Sequence, residues 1–205
     1  MKLIKGALVA LALAAGLGGC AQTFKTDYAQ GVDPQVSRGW RLAKVEVTVP
    51  PTLTVSEDNV LVPEADIVWQ VPPMGDRRAQ VGAIMTEAVT AGASGLHGAR
   101  RVNILVTLRR FHALTPAAEA LRMQNVGVLN VDFTISVVDA ATGAVLAGPE
   151  AIEGALPGLT GQSAVQAHAE GRTQKTEIEA HVRAVVAGWL GIGPDARGSF
   201  SRIGA

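Results

Sequence analysis

Three separate stretches of this sequence place an apolar side chain at every second residue. The clearest are "VNILVTL" at 102–108 and "LNVDFTISV" at 129–137, and a shorter one, "KVEVTV", covers residues 44–49. Because successive side chains of a strand point to opposite faces, this period predicts strands with one buried face and one face in water. A chain with this pattern is therefore constrained to build a sheet.

The second of these stretches runs directly into a turn. Residues 139–143 read "DAATG", and an apolar run, "AVLAG", follows. Gly143 can adopt the positive φ that a tight turn needs, and Asp139 can accept hydrogen bonds from the turn backbone. The sequence therefore predicts a hairpin at this position.

Two further stretches repeat apolar residues at every third or fourth position, which is the period of a helix. The first covers residues 76–93 and begins with Asp76, a residue type that caps helices. The second ends at Gly191, and Thr176 with Glu179 three residues later resembles a capping box. The apolar positions are Val81, Ile84, Met85, Ala88 and Val89 in the first stretch, and Ile178, Val182, Val185, Val186, Trp189 and Leu190 in the second.

The order of these elements predicts the fold class. Strands, a helix, more strands and a closing helix favour an α+β domain, an antiparallel sheet with two main helices packed on one face. Repeated parallel βα units are not evident. We expect a single domain over residues 40–191, followed by a flexible C-terminal tail over residues 192–205.

The only cysteine, Cys20, follows an apolar run from Gly6 to Leu17, and Lys2 and Lys5 precede that run. This arrangement is typical of a secretory signal peptide. A helix of this length spans about 18 Å, which is too short for a hydrocarbon core of about 30 Å. A single cysteine also excludes an internal disulfide, so burial has to stabilise the domain.

The residues Leu17-Gly18-Gly19-Cys20 resemble the lipobox of bacterial lipoproteins. The resemblance implies a signal peptide over residues 1–19, cleavage between Gly19 and Cys20, and acyl chains, palmitate among them, on the new N-terminal cysteine. Such chains attach a protein stably to membrane lipid. Ala21 stands where an aspartate favours retention at the inner membrane. The resemblance therefore implies the periplasmic face of the outer membrane, with the inner membrane as the less favoured site.

Residues 20–39 have no sustained period and contain Gly31, Pro34 and Gly39. Such a composition is typical of a linker. We therefore expect a lipidated N-terminus and a flexible tether before the domain.

Residues from about 66 to 190 resemble α-proteobacterial periplasmic lipoproteins to which no activity is assigned. The similarity is carried by "VWQVP", "RRFHALTP" and "VDFTISVVDAATGAVLAGP". More broadly, the order of elements is similar to that of auxiliary lipoproteins of envelope transport and assembly machines. The resemblance implies a role in the cell envelope and supplies no catalytic residues.

The sequence lacks the features that are typical of several function classes. Loss of Lys2 and Lys5 leaves a small negative net charge, and aromatic residues make up 4% of the chain, so we expect no nucleic-acid partner. The four histidines form no HExxH motif, and His168-Ala-Glu170 lacks the P-C-x-x-C partner of the zinc deaminases. No GxSxG surrounds a serine. We expect no enzyme activity, no cofactor and no metal site.

One polar cluster, Arg109, Arg110 and His112, lies where a predicted strand ends. In one interpretation it is a cationic mouth that meets an acidic partner or a phosphate, with His112 tuning its charge near neutral pH. In the other, the arginines are simply solvated, Phe111 lies in the core and His112 bonds to the backbone. The sequence favours the second interpretation, and the first keeps Arg109, Arg110 and His112 as a candidate partner contact.

Two hypotheses for function follow. The first is a membrane-anchored lipoprotein whose periplasmic domain is a non-enzymatic interaction or auxiliary module with an envelope protein as partner. The second is a module that handles a small ligand or a lipid in an apolar cavity between the helices and the sheet. A cavity of several hundred Å³ in that layer would favour the second hypothesis, and a closed core would favour the first.

Overall fold

The computed structural model describes residues 21–203, so the predicted signal peptide, its cleavage after Gly19 and the lipidation of Cys20 lie outside the described residues. Eight strands are present in this range: β1 Ala21–Asp27, β2 Trp40–Thr48, β3 Val55–Ser56, β4 Ile67–Val68, β5 Arg100–His112, β6 Val128–Asp139, β7 Val145–Pro157 and β8 Gly198–Ile203. Five helices are present in the same range: α1 Pro34–Ser37, α2 Arg77–Gly92, α3 Pro116–Glu119, α4 Gly161–Ala169 and α5 Gln174–Trp189.

The strands form one eight-stranded sheet in the order β3-β4-β5-β6-β7-β1-β8, with β2 paired to β5. The β5–β6, β6–β7, β7–β1 and β1–β8 pairs are antiparallel, but β2–β5, β3–β4 and β4–β5 are parallel. The prediction of an antiparallel sheet is therefore wrong in part, because the sheet is mixed. The parallel pairs all lie on one side of β5.

The parallel pairing arises from the connection between β2 and β5. Parallel neighbours need a long crossover, and α2 lies in the chain between these two strands. The helix returns the chain to the end of the sheet from which β2 started, so β5 runs beside β2 in the same direction. The sequence predicted β2, α2 and β5 but not that β2 and β5 would become neighbours.

One face of the sheet is buried beneath helices. Paired residues such as Ile104 and Val137, or Val106 and Ile135, share this face and are almost completely buried. Helices α2 and α5, of 16 residues each, contact each other, and their apolar residues belong to the same hydrophobic cluster as these strands. The structure thus contains five helices where two main ones were predicted, and burial of this face stabilises the domain.

The helix boundaries follow from local capping. Asp76 accepts a hydrogen bond from the backbone N–H of Ala79, which confirms it as the N-cap of α2. Helix α5 begins at Gln174, because Thr173 is the N-cap and exchanges hydrogen bonds with Thr176. The predicted pairing of Thr176 with Glu179 as a capping box is therefore wrong by one turn.

The two segments predicted to be flexible instead contain regular elements. Residues 20–39 were expected to form a tether, but 21–27 form β1 and 34–37 form α1. Residues 192–205 were expected to be a mobile tail, but 198–203 form β8, which pairs with β1 from end to end. Each strand satisfies backbone groups of the other, and two segments so far apart in sequence give no local sign of their pairing.

Side chains also join these segments to the domain. Tyr28 is buried, and its hydroxyl donates to Asp195 Oδ1 at 3.0 Å. Burial raises the pKa of the Tyr28 hydroxyl to about 12, and the hydrogen bond to Asp195 acts in the same direction. The indole Nε1 of Trp189 donates to the carbonyl oxygen of Gln30 at 3.0 Å. The segment before β2 is therefore part of the packed structure.

Candidate functional site

The face of the sheet opposite the helices carries a row of charged residues that crosses four strands and ends at the residue before β4. Asp27 pairs with Glu153, and Arg110 pairs with Asp132. Asp132 Oδ1 accepts a hydrogen bond from the backbone N–H of residue 154, beside Glu153, and Asp66 lies next to Arg110 across the β4–β5 pair. We call Asp27, Glu153, Asp132, Arg110 and Asp66 the charged row, and the face that bears it the open face.

Ion pairs organise one end of the charged row. Lys25 Nζ lies 3.0 Å from Asp27 Oδ2 and 3.1 Å from Glu153 Oε2. Hydrogen bonding to Asp27 raises the pKa of Lys25, and the same bond lowers the pKa of Asp27. All three side chains are about half exposed, so water screens these pairs and they contribute little to stability.

The centre of the charged row is less hydrated. Burial raises the pKa of Asp132, while the backbone N–H of residue 154 and the guanidinium of Arg110 act in the opposite direction. The amide oxygen of Asn130, one rung along on β6, is buried and has no hydrogen-bond partner among the described residues. These groups are partly removed from water, so a partner that reaches them meets stronger electrostatic interactions than at an ordinary surface.

Arg109 lies in a β-bulge at the centre of the sheet. Leu108 pairs with Phe133 and Arg110 pairs with Asp132, which leaves Arg109 as an extra residue on β5. On the other edge of β5, the pairing with β2 ends at Thr107 and the pairing with β4 begins at Phe111. The segment 108–110 therefore occupies a gap between two parallel neighbours. Bulges of this kind redirect side chains and interrupt pairing.

Both arginines are exposed, and neither forms a side-chain hydrogen bond or an ion pair with a residue in the range 21–203. The structure thus brings Arg109 and Arg110 together at the bulge, as the sequence suggested. It also places Asp132 and Asp66 beside Arg110, so the surroundings carry both signs of charge. We call Arg109 and Arg110 the arginine bulge.

His112 is turned inward at the end of the same strand. Its Nε2 donates a hydrogen bond to the carbonyl oxygen of Ala65, and the adjacent Phe111 is buried, with its ring edge-on to Trp69 at 5.6 Å between centroids. Burial lowers the pKa of His112 below its usual 6.5, so the ring is neutral at pH 7. This geometry matches the second interpretation for Phe111 and His112, and it leaves the two arginines as the residues available to a partner.

Three clefts on the described residues bear on the second hypothesis. One, of about 680 Å³, opens beside Lys44, Arg101 and Asp139, and another, of about 870 Å³, opens between α3 and α4. A small pocket beside Leu129 and Ala164 has about 20 Å³, enough for one water molecule. None of these three is the large apolar cavity that the second hypothesis requires.

Two other histidines lie apart from the open face. His168 Nε2 is 3.2 Å from a carboxylate oxygen of Glu119, and His181 Nε2 is 3.0 Å from the hydroxyl of Thr26. Across residues 21–203 no three His, Cys, Asp or Glu side chains are grouped so that they could hold a metal ion. In the same range, none of the helices has the length and apolar character needed to span a bilayer.

Sequence reasoning found the arginines but missed most of the charged row. Asp27 and its ion-pair partner Lys25 lay in the predicted tether, and Glu153 lay in a strand whose register was not known. A usable signal was present on β6, where Asn130, Asp132 and Thr134 alternate with buried residues. That alternation marks an open face but does not show which residues of other strands lie beside it.

No curated protein matches this chain, whereas 14 chains of solved structures do, among them the following three. Two crystal forms of the PelC dodecamer from Paraburkholderia phytofirmans are similar to this chain at 12% identity. They cover 82% of this chain and 95% and 96% of PelC, with TM-scores of 0.34 and 0.36. A candidate lipoprotein from Caulobacter crescentus CB15 is similar at 14% identity, covering 72% of this chain and 90% of that protein, with a TM-score of 0.31.

A family-level match covers residues 40–205. This range includes every element from β2 to β8, and therefore the arginine bulge and all of the charged row except Asp27. The chain belongs to this family, which is described as a family of unknown function, DUF6778.

Proposed function

We propose that this chain is a lipid-anchored envelope protein whose domain binds another envelope protein and does not catalyse a reaction. One observation carries the proposal. Strand β1 begins at Ala21, directly after Cys20; its residues 21–26 pair with β8, and Thr26 and Asp27 at its other end also pair with β7. An acylated Cys20 is then joined to the sheet itself, with no flexible segment between lipid and domain.

Direct attachment changes what the anchor does. A flexible tether of about 19 residues would have a root-mean-square reach of about 25 Å and would let the domain rotate freely. Attachment through a paired strand instead holds the domain in a narrow range of orientations. Pre-orientation lowers the entropy lost on binding, and confinement at a membrane raises the effective concentration of neighbouring membrane proteins. Both effects favour a protein that works by contact.

The open face is the surface we assign to the partner. The arginine bulge presents two guanidinium groups that no described residue engages, and arginine forms bidentate pairs with carboxylates. Arginine is also enriched at protein interfaces. The carboxylates of the charged row add the opposite sign of charge, so a partner has to match a pattern rather than a uniformly positive patch. These features favour a segment of an envelope protein that sets carboxylates against the arginine bulge as the bound element.

The location in this proposal follows from the lipobox. Ala21 after Cys20 favours the outer membrane, so the domain is placed in the periplasm on the inner leaflet. Metabolic labelling with palmitate tests the acylation, because Cys20→Ser should abolish the label. Unchanged labelling of the Cys20→Ser protein would contradict the assignment of this cysteine.

In-cell crosslinking with mass spectrometry tests the partner, with four forms of the protein compared. These are the wild type, the unlipidated Cys20→Ser protein, a form with about 15 Gly and Ser residues inserted between Cys20 and Ala21, and the double variant Arg109→Ser with Arg110→Ser. We expect the wild type to capture one specific envelope protein. The inserted linker keeps the anchor but frees the orientation, so capture should fall several-fold.

The outcomes separate the parts of the proposal. Equal capture by the wild type and the linker form would show that orientation is unimportant, and equal capture by the arginine variant would move the binding surface elsewhere. If neither the wild type nor the Cys20→Ser protein captures a specific protein, while the purified domain retains a lipid or small molecule, the ligand-handling alternative replaces this proposal.

A further inference from the structure

The end of the sheet at which β1 begins also carries most of the exposed aliphatic side chains. Because β1 is antiparallel to β7, with Thr26 opposite Gly154, it starts at the end where β7 finishes. Arg202 on β8 donates through Nε to the carbonyl oxygen of Gly127, which directly precedes β6, at 3.0 Å. We call this the anchored end. It comprises the start of β1 and β6 and the finish of β5, β7 and β8.

Three consecutive aliphatic residues are exposed on a loop at the anchored end. Val60, Leu61 and Val62 keep 50%, 53% and 68% of their surface in water. The loop is fastened to the segment that follows β5, since Thr115 Oγ1 donates to the carbonyl oxygen of Val60 at 2.7 Å and the amide of Ala117 donates to the side chain of Asn59 at 2.7 Å. The side chains are therefore held outward on a fixed loop.

Two more exposed apolar residues border the loops at the same end. Met123 lies between α3 and β6, and Val165 lies on α4, which follows β7. Thr160 Oγ1 donates to the carbonyl oxygen of Met123 at 2.6 Å, which ties the two segments together. Met123 and Val165 both line the 870 Å³ cleft between α3 and α4. Five of the eight most exposed large apolar residues in the described range thus lie at the anchored end.

Aromatic and basic groups lie close to the start of β1. Phe24 stacks on Phe200 of β8 with 5.8 Å between ring centroids, and the guanidinium of Arg202 lies 5.1 Å from the centre of the Phe200 ring. Aromatic rings and arginine side chains are both favourable at the boundary between lipid tails and headgroups. Phe24 is four residues from Cys20 in sequence.

We infer that the anchored end is a second, non-covalent contact with the lipid leaflet, in which Val60, Leu61 and Val62 enter the headgroup and acyl boundary. The inference rests on the proposed anchoring through Cys20. An acylated Cys20 places Ala21 at the bilayer surface, and no linker separates Ala21 from this end of the sheet. The same exposed residues facing only water would be an apolar patch without a partner. Contact with lipid orients the domain with its open face free.

Depth-dependent fluorescence quenching tests this contact in the acylated protein. The protein is reconstituted in vesicles of phosphatidylethanolamine and phosphatidylglycerol, some of which carry a nitroxide on the acyl chain. A single fluorophore is attached at Val62→Cys or, as the control, at Val145→Cys, a valine of similar exposure at the start of β7 and the opposite end of the sheet. Because lipid occupies the thiol of Cys20, only the introduced cysteine is labelled.

We expect the nitroxide lipid to quench the probe at position 62 at least twofold more than the probe at position 145. Equal quenching in a protein whose mass shows the acyl chains would overturn the lipid contact and leave the anchor intact. A mass without acyl chains would overturn both proposals. A probe at position 62 that lipid does not quench, but that crosslinks to a protein in cells, would assign the loop to a protein partner and contradict the inference.

Discussion

The two faces of strands β5 and β6 share one backbone but have opposite surroundings. On the core face, Val106 pairs with Ile135, and both side chains are buried beneath the helices. On the open face, one residue along, Thr107 opposite Thr134 is in contact with water. Burial on the first face supplies stability, and the second face is therefore free to carry charge.

This division has a functional meaning. The core face tolerates few changes, since close packing penalises any alteration of volume. The open face holds the arginine bulge and the charged row, where we expect substitutions to change the proposed recognition and to leave the fold intact. The predictions below test whether stability and recognition are separated in this way.

The largest effect is expected at Trp189, which is buried at the end of α5 within the core cluster. Trp189→Ala should lower the free energy of unfolding by about 3–5 kcal/mol, because it removes a large buried side chain and leaves a cavity. Urea denaturation of the signal-less domain, followed by far-UV circular dichroism, measures the change. Trp189→Phe keeps a ring but loses the hydrogen bond to Gln30, so it should cost less. A loss below about 1 kcal/mol for Trp189→Ala would mean that α5 is peripheral.

A pH-dependent effect is expected at His181, at the margin of the core face. Burial lowers the pKa of His181 to about 4, whereas an unfolded histidine titrates near 6.5. The unfolded chain therefore binds the proton first as the pH falls, and stability should decline between pH 6.5 and pH 4 by up to about 3 kcal/mol.

The control for this prediction is His181→Gln. The hydroxyl of Thr26 donates to the carbonyl oxygen of Ala155, so His181 Nε2 acts as the donor to Thr26, and a glutamine amide can replace it. Above pH 6.5 the difference in unfolding free energy between wild type and variant should be constant. Below pH 6.5 the wild type should lose stability relative to the variant as the pH falls. A difference that is constant from pH 4 to pH 7 would show that this histidine does not titrate on unfolding.

A matched pair of substitutions compares the two faces directly. Val106→Thr puts a hydroxyl into the core face with almost no change of shape and should cost about 1–3 kcal/mol. Thr107→Val makes the reverse change on the open face and should alter stability by less than about 0.5 kcal/mol. Thermal and urea unfolding of both variants measures the contrast. Equal costs would show that the open face is packed against something in the folded protein.

The smallest effect on stability is expected at the arginine bulge. Arg109→Ser with Arg110→Ser should change the unfolding free energy by less than about 0.5 kcal/mol, because both side chains are exposed. Since Arg110 lowers the pKa of Asp132, its removal should raise that pKa, which carboxyl-detected NMR titration can follow. A large loss of stability would make the bulge structural and remove the separation between the two faces.

Local patterns predicted the elements whose partners are close in sequence. Strands β5 and β6 and helix α2 follow from periodicity, and Asp76 is confirmed as a cap because capping acts over three residues. The start of α5 was misplaced since Thr173 and Thr176 are both acceptable caps and only tertiary packing selects between them.

Local sequence patterns could not predict which distant segments pair with each other. The parallel neighbours of β5 and the β1–β8 pair depend on which strands meet, and a strand of two residues such as β4 has no period at all. The candidate site likewise has a part that the sequence could predict and a part that depends on pairing between strands. Arg109 and Arg110 are adjacent in sequence and could be identified, whereas the relation of Arg110 to Asp132 depends on strand register.

The pairing of β1 with β8 has a consequence for how the protein is made. Ala21 lies opposite Ile203, so the strand nearest the anchor completes its hydrogen bonds only after nearly the whole described chain has been synthesised. Contacts between such distant segments form slowly, because a long loop has to close before they can form. We therefore expect β1 to join the sheet in a late folding step, after the strands around β5 and β6 have assembled. In the proposed lipid-anchored form, the newly made chain is held at the bilayer until that step by a segment that has not yet folded, and the orientation of the domain is established last.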